Sequence, residues 1–331
     1  MVLYIDTKKD SWFKGCGALV IAAAFIVLLF FGSAHAETVK QRTFASPEEA
    51  VKAFIEALKS NDVKALEAIL GPGSRDLVSS GDPVADKAVR ERFLSRYGEK
   101  NRLEVTDAKA NLSLGNDDWP FAVPIVKKDG LWRFDAKAGK EEILARRIGQ
   151  NELSAIQFCL AYVDAQREYT LKDRDGDGLL EYAQKFGSDK GKRNGLYWKV
   201  AEGEEQSPLG PIAAAAYSRG YRKKGENPQP FYGYFYRILT GQGKNAPGGA
   251  YGYLAKGNMI GGFALVAYPA KYASSGVMTF IVNHDGVVYQ KDLGKNTEKA
   301  AQAMKVFNPD STWKRWNRVL DKDFFTSCVE V

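Results

Sequence analysis

The chain has 331 residues, 45% hydrophobic and 26% charged, which is the balance of a globular protein and excludes a disordered one. Its net charge of +7 is modest and comes with no compact basic motif, which argues against nucleic acid as a partner. Two histidines, His35 and His284, are too few for a multi-histidine metal centre, and any Ser-His-Asp or Cys-His arrangement has to use one of them.

Residues 1–36 read as a targeting segment. Lys8, Lys9 and Lys14 precede the apolar run GALVIAAAFIVLLFFG, and Ala34-His35-Ala36 has the small-x-small pattern of a signal-peptidase site, so the mature chain is expected to start at Glu37. The alternative is an uncleaved anchor over 15–36, because no charge falls between Lys14 and Glu37. With cleavage the protein is expected to be periplasmic or secreted; without it, residues 15–36 are expected to anchor it in the inner membrane, the one membrane contact expected. Removing three Lys and two Asp with the segment leaves +6. Cys159 and Cys328 then remain, able to pair in an exported compartment or to stay as a buried thiol and a tail residue.

The next stretch, TFASPEEAVKAFIEALKSNDVKALEAIL, predicts two helices. Ser46, Pro47 and Glu49 form a capping box, Val51, Phe54, Ile55 and Leu58 follow at helical spacing, and Asp62 caps the second helix before Gly71-Pro72-Gly73 stops it. A third helix is expected over Ala85–Tyr97, with Val89, Phe93 and Tyr97 on one face. RLEVTDAKANLSLG and WPFAVPIVKKDGLWRFDA then read as strands, with a hairpin turn at Lys127-Lys128-Asp129-Gly130.

A long helical stretch follows, KEEILARRIGQNELSAIQFCLAYVDAQREY. Leu144, Ile148, Ile156, Leu160 and Val163 form a stripe that Phe158, Tyr162 and Tyr169 widen, and Gly149 and Asn151 mark a kink point. Arg146-Arg147 reads as a solvated face or an ion pair. Beyond Thr170 turns dominate, and FYGYFYRIL, GGFALVAYPA and SGVMTFIVNHDGVVYQKDL read as strands. Asn283-His284-Asp285-Gly286 is turn chemistry, which favours a hairpin over a catalytic histidine.

Two stretches could carry a ligand. In DRDGDGLLEYAQ, Asp173, Asp175, Asp177 and Gly178 match the first part of a calcium loop. Glu181 stands at the ninth position, but Gln184 occupies the twelfth, where a bidentate acid is required. The stretch is therefore either a Ca²⁺ site or a hydrated turn. Residues 217–256 combine aromatics with Lys and Arg. Tyr221, Arg222, Tyr232, Tyr234, Arg237, Tyr251 and Tyr253 form a candidate surface for sugars or anionic polymers. The alternative is that alternate aromatics of FYGYFYRIL fill a sheet core.

Two or three helices followed by a curved antiparallel sheet, over about residues 44–137, resemble the cone-shaped nuclear transport factor 2-like fold. The long helix feeding a meandering sheet resembles the globular part of type IV pilins and type II secretion pseudopilins. The strings RRIGQNELSAIQ, YVDAQREY, DRDGDGLLEYAQKF, PFYGYFYRILTGQG, APGGAYGY, MIGGFALVAYPAKY and SGVMTFIVNHDGVVYQKDLG resemble the bacterial exported family called domain of unknown function 2950, which implies export but no activity.

The expected fold class is α+β. Residues 1–36 are the signal peptide and 37–138 a cone-like module. Residues 139–320 hold the long helix with a pilin-like sheet, and 321–331 are a tail. The expected function is that of a non-enzymatic cell-envelope protein that binds or assembles with an envelope polymer or envelope protein. The alternatives are a hydrolase acting on an envelope polymer and a calcium-stabilised structural module.

Overall fold

A computed structural model describes residues 40–201, 203–218, 221 and 229–317. The targeting segment, Arg222, Cys328 and the tail at 321–331 lie outside the described residues. Helices and antiparallel sheets make the chain α+β.

Local chemistry sets the first elements. Helix α1 (Pro47–Lys59) starts where Ser46 Oγ accepts from Glu49 N at 3.1 Å, and the Glu49 carboxylate reaches back to Ala45 N at 3.2 Å. Helix α2 (Val63–Leu70) is capped by Asp62 and ends at Gly71, whose φ of 92° suits glycine. A short helix α3 (Arg75–Val78) leads to α4 (Pro83–Glu99). This last helix begins two residues before the Ala85 expected from its apolar spacing, because Asp82 caps it and Pro83 supplies the first helical φ.

The first sheet comprises β1 (Asn101–Val105), β2 (Lys109–Leu114), β3 (Trp119–Pro120), β4 (Ile125–Lys128) and β5 (Leu131–Phe134). Its order is β1-β2-β4-β5, with β3 on β2 and every pairing antiparallel. Asp129 and Gly130 both take positive φ, 53° and 79°, the geometry of a two-residue hairpin loop. Phe54, at the centre of α1, packs on Phe121, Phe134 and Phe93 with ring centroids 5.1–5.6 Å apart.

Helix α5 (Ala136–Tyr169) has 34 residues and runs unbroken through Gly149 and Asn151. Asn151 Nδ2 donates across to Ser275 O at 2.8 Å, in the turn that precedes the strand Met278–Asn283. Ala136, Ile143 and Leu144 belong to the core under the first sheet, whereas Ala155, Ile156, Cys159, Tyr162, Val163 and Tyr169 belong to a second core. Within the expected stripe, Ile156 and Val163 are buried, while Leu144, Ile148 and Leu160 are only half-buried.

Strand β6 (Tyr234–Leu239) is followed by two short antiparallel pairs, β7 (Gly241–Gln242) with β8 (Tyr251–Gly252) and β9 (Leu254–Ala255) with β10 (Asn258–Met259). The second core lies against a sheet ordered β14 (Lys314–Arg315), β13 (Tyr289–Asp292), β12 (Met278–Asn283), β11 (Ala264–Pro269), β6, again antiparallel. Helix α5 packs on β12 and β11. Strand β11, between β12 and the edge strand β6, is buried along its whole length. The segment after α5 is tied down by Gln166, fully buried, whose amide bonds Ala183 N and O, both at 2.8 Å, and the Tyr162 hydroxyl. Among the described residues no helix is long and apolar enough to cross a membrane.

Candidate functional site

Helix α4 is the key to the site. Its only buried residue is Asp86; Phe93 and Tyr97 are half-buried and Val89 is 54% exposed. Of the three residues expected on one face, Phe93 and Tyr97 pack against the first core, and Val89 and Phe93 form one wall of an open cavity of about 530 Å³. The floor is Phe54 and Leu58 from α1, Leu66 and Leu70 from α2, and Leu114 and Phe121 from the first sheet. The opposite wall is α5, through Ile143, Ala145, Arg146, Arg147 and Gln150. Such a volume with an apolar lining and few polar groups is the usual form of a small-molecule site, for which about 300–1,000 Å³ is common.

The polar lining is mostly cationic. Arg90, Arg92, Arg96, Arg146 and Arg147 face two carboxylates, Asp86 and Glu142. Arg147 is fixed: both its Nη atoms donate to the carbonyls of Asp76 and Leu77 at the end of α3. Burial pushes its pKa down, and the Asp86 charge offsets part of that. Arg90 Nη1 donates to Val78 O at 2.8 Å, so two arginines satisfy the last carbonyls of the same short helix. Asp86 accepts from Ser80 N and from Ser80 Oγ at 2.7 Å; burial holds its pKa above the ordinary value, opposed by those hydrogen bonds. Arg146 Nε donates to Glu142 at 2.7 Å, and its guanidinium lies 4.7 Å from the centre of the Trp119 ring. Arg90 Nε and Arg146 Nη1 are buried and have no hydrogen-bond partner.

This cavity was not legible in the sequence. In sequence Arg146-Arg147 reads as a solvated face or an ion pair. The ion pair with Glu142 is there, but Arg147 is sequestered on backbone carbonyls. The available signal was helical spacing: Arg90 lies three residues before Phe93, and Arg146 and Arg147 lie three and four residues after Ile143, which puts charge beside apolar positions.

The acidic loop is a separate place. Asp173, Asp175 and Asp177 are exposed, and one carboxylate oxygen from each lies within 4.8 Å of the others. The loop is also ordered by its own amides: Asp173 accepts from Gly176 N at 2.7 Å and Gly178 N at 2.9 Å, and Asp177 from Leu179 N at 2.9 Å. Asp177 also accepts from Asn258 Nδ2. Glu181 does not join this trio. Its carboxylate accepts from the Met259 backbone and has one buried oxygen without a partner, and burial, followed by the Asp175 charge, raises its pKa. Gln184 is occupied elsewhere, donating to Gly257 O at 2.7 Å.

The tyrosine-rich stretch does not form one surface. Tyr234 and Tyr253 are fully buried, and their hydroxyls are bonded to Met278 O and to Gln242 Oε1. Strand β6 lies against β11, so its side chains fill the second core, as the alternative reading has it. Arg237 is half-buried and donates to Ala301 O and Met304 O, at the end of helix Thr297–Ala303. Tyr221 and Tyr232 are half-buried. The Tyr221 hydroxyl donates to Asp82 at 2.8 Å, which raises its pKa well above the phenolic norm through burial and that carboxylate, and it accepts from Tyr232 N. Tyr251, at 40% exposed, faces solvent. His284 sits in the turn between β12 and β13, with Asn283 and Asp285 bonded to each other across it and Gly286 at φ 77°.

Residues 41–316 match the sequence profile of a family described as a protein of unknown function, DUF2950. Comparison with curated proteins and with solved structures gives no match. The match spans both cores, α5 and the cavity, and the chain belongs to the DUF2950 family.

Proposed function

We propose that this chain is an exported, non-enzymatic binding protein of the cell envelope that holds an apolar small molecule in the cavity between α4 and α5. The observation that carries this reading is the exposed apolar wall: Val89, 54% exposed, faces a cavity floored by leucine and phenylalanine. Leaving that lining in water is costly, and a ligand that covers it recovers about 25 cal/mol per Å² of apolar surface. The targeting segment supports export. The long helix on an antiparallel sheet supports the likeness to the globular part of pilins, and through it a role in assembly.

The test uses Nile red, a neutral apolar dye, titrated by fluorescence. Ala145 is exposed on α5 and lines the cavity. Ala145→Trp should fill the mouth and weaken dye binding at least about tenfold, with the unfolding midpoint unchanged to within about 0.5 kcal/mol. Wild-type affinity in the Trp variant would remove the cavity as the site.

A second reading rests on the trio Asp173, Asp175 and Asp177. Hard carboxylate oxygens this close suit Ca²⁺. At millimolar Ca²⁺ the thermal midpoint of the 37–331 chain should rise by several degrees over that in EDTA, and Asp175→Ala should abolish the rise. If the wild type does not respond, the loop is a hydrated turn.

A further inference from the structure

We infer that the ligand of the cavity is an anionic amphiphile: a single apolar chain lying on the floor, with a carboxylate or phosphate head among the arginines of the rim. This rests on the cavity reading above and adds the charge of the occupant.

Five guanidinium groups and two carboxylates line the same apolar space. Glu142 is taken by Arg146 and Arg96 is paired with Asp117, while the single Asp86 charge is shared between Arg147 and Arg90. Charge held against apolar walls is unfavourable unless something of opposite sign comes with it. An anionic head offsets that cost, and a neutral ligand would add to it by displacing water from the rim.

The arginines also differ in what they can offer. Arg147 is locked by the α3 carbonyls. Arg146 is held from one side by Glu142 and from another by the Trp119 ring, yet its Nη1 has no acceptor. Arg90 is anchored by Nη1 on Val78 O, while its Nε has none. A small turn of either guanidinium toward the cavity gives that donor an acceptor on a bound anion, and guanidinium pairs well with the planar carboxylate or with phosphate. The stacking on Trp119 keeps the Arg146 plane oriented before the ligand arrives, so less freedom is lost on binding.

Calorimetric titration of the wild-type 37–331 chain with decanoate, decyl phosphate and decanol separates the possibilities. These share one tail and differ in head charge. Decanoate or decyl phosphate should bind at least about tenfold more tightly than decanol, because hydrogen bonds to charged groups are the stronger class. The tighter of the two acids identifies the head as carboxylate or phosphate. Arg146→Gln should bring that acid to within about threefold of decanol and leave decanol itself unchanged; Arg146→Lys should restore part of the preference. Equal binding of all three in the wild type overturns the anionic head and leaves the cavity reading standing. So does a preference that survives both Arg146→Gln and Arg90→Gln. If no decyl compound binds and Nile red also fails, the cavity reading falls with it. The wild-type comparison needs no variant, so a poorly folding arginine mutant does not remove the test.

Discussion

Replacing Asp82 with alanine should destabilise the fold by about 3 kcal/mol, in a side chain that touches no ligand. Asp82 is 1% exposed and each of its oxygens accepts twice. Oδ1 takes Val84 N and Ala85 N, both at 3.1 Å, and so caps α4. Oδ2 takes the Tyr221 hydroxyl at 2.8 Å and Gly233 N at 2.9 Å, beside the second sheet. Loss of the cap costs about 1 kcal/mol. Leaving a buried Gly233 N–H and the Tyr221 hydroxyl without this acceptor adds roughly 1–3 kcal/mol. Urea unfolding should show the midpoint falling with little change in slope. Asp82→Asn keeps one acceptor oxygen and should lose less. Tyr221→Phe alone should cost about 1 kcal/mol, and a double-mutant cycle between the two should return a coupling of similar size. An alanine variant within about 0.5 kcal/mol of wild type would show that the four bonds do not act together.

The second large effect concerns Gly139, in the first turns of α5. Helix propensity by itself favours alanine over glycine by about 1 kcal/mol. Here a Cβ would sit 2.6 Å from Ala122 O and 2.9 Å from Val123 Cα. Both are backbone atoms, so no rotamer change relieves the contact. The expected outcome of Gly139→Ala is a net loss of about 2 kcal/mol, within the range found for overpacked sites. Since Val123 lines the cavity, Nile red affinity should fall as well. Gly98 on α4 is the matched control: a Cβ there meets nothing within 4 Å, so Gly98→Ala should stabilise by up to about 1 kcal/mol. Opposite signs for the two substitutions, in the same urea assay, distinguish close backbone approach from propensity. A stabilising Gly139→Ala would mean that the 122–123 segment yields easily.

What could be read from the sequence was what neighbours along the chain decide. Ser46 with Glu49, Asp62, Asp129-Gly130 and Asn283–Gly286 act over two to four residues, and the structure uses each as its chemistry implies. Asp82 followed by Pro83 marks the start of α4, two residues before its apolar spacing becomes regular at Ala85. What could not be read depends on partners far away. Tyr234 and Tyr253 look the same in sequence whether they face water or Met278 and Gln242. Val89 shares a face with Phe93 and Tyr97 yet is exposed, because periodicity tells which side of a helix is apolar and not whether anything fills the space beside it. The arginines of the rim come from α4 and α5, about 56 residues apart between Arg90 and Arg146, and only the fold brings them to one cavity.

Helix α5 has a consequence for how this chain can vary. A residue inserted into an α-helix rotates everything beyond it by about 100°. Ile143 and Leu144 face one core, and Ala155 and Ile156 another, on the same rigid rod. An insertion or deletion between them would put one set out of phase, exposing apolar side chains and burying charged ones. The two halves of the protein are thus keyed to each other by helical phase. Loops elsewhere can grow or shrink, while the ten residues from 145 to 154 have to keep their number.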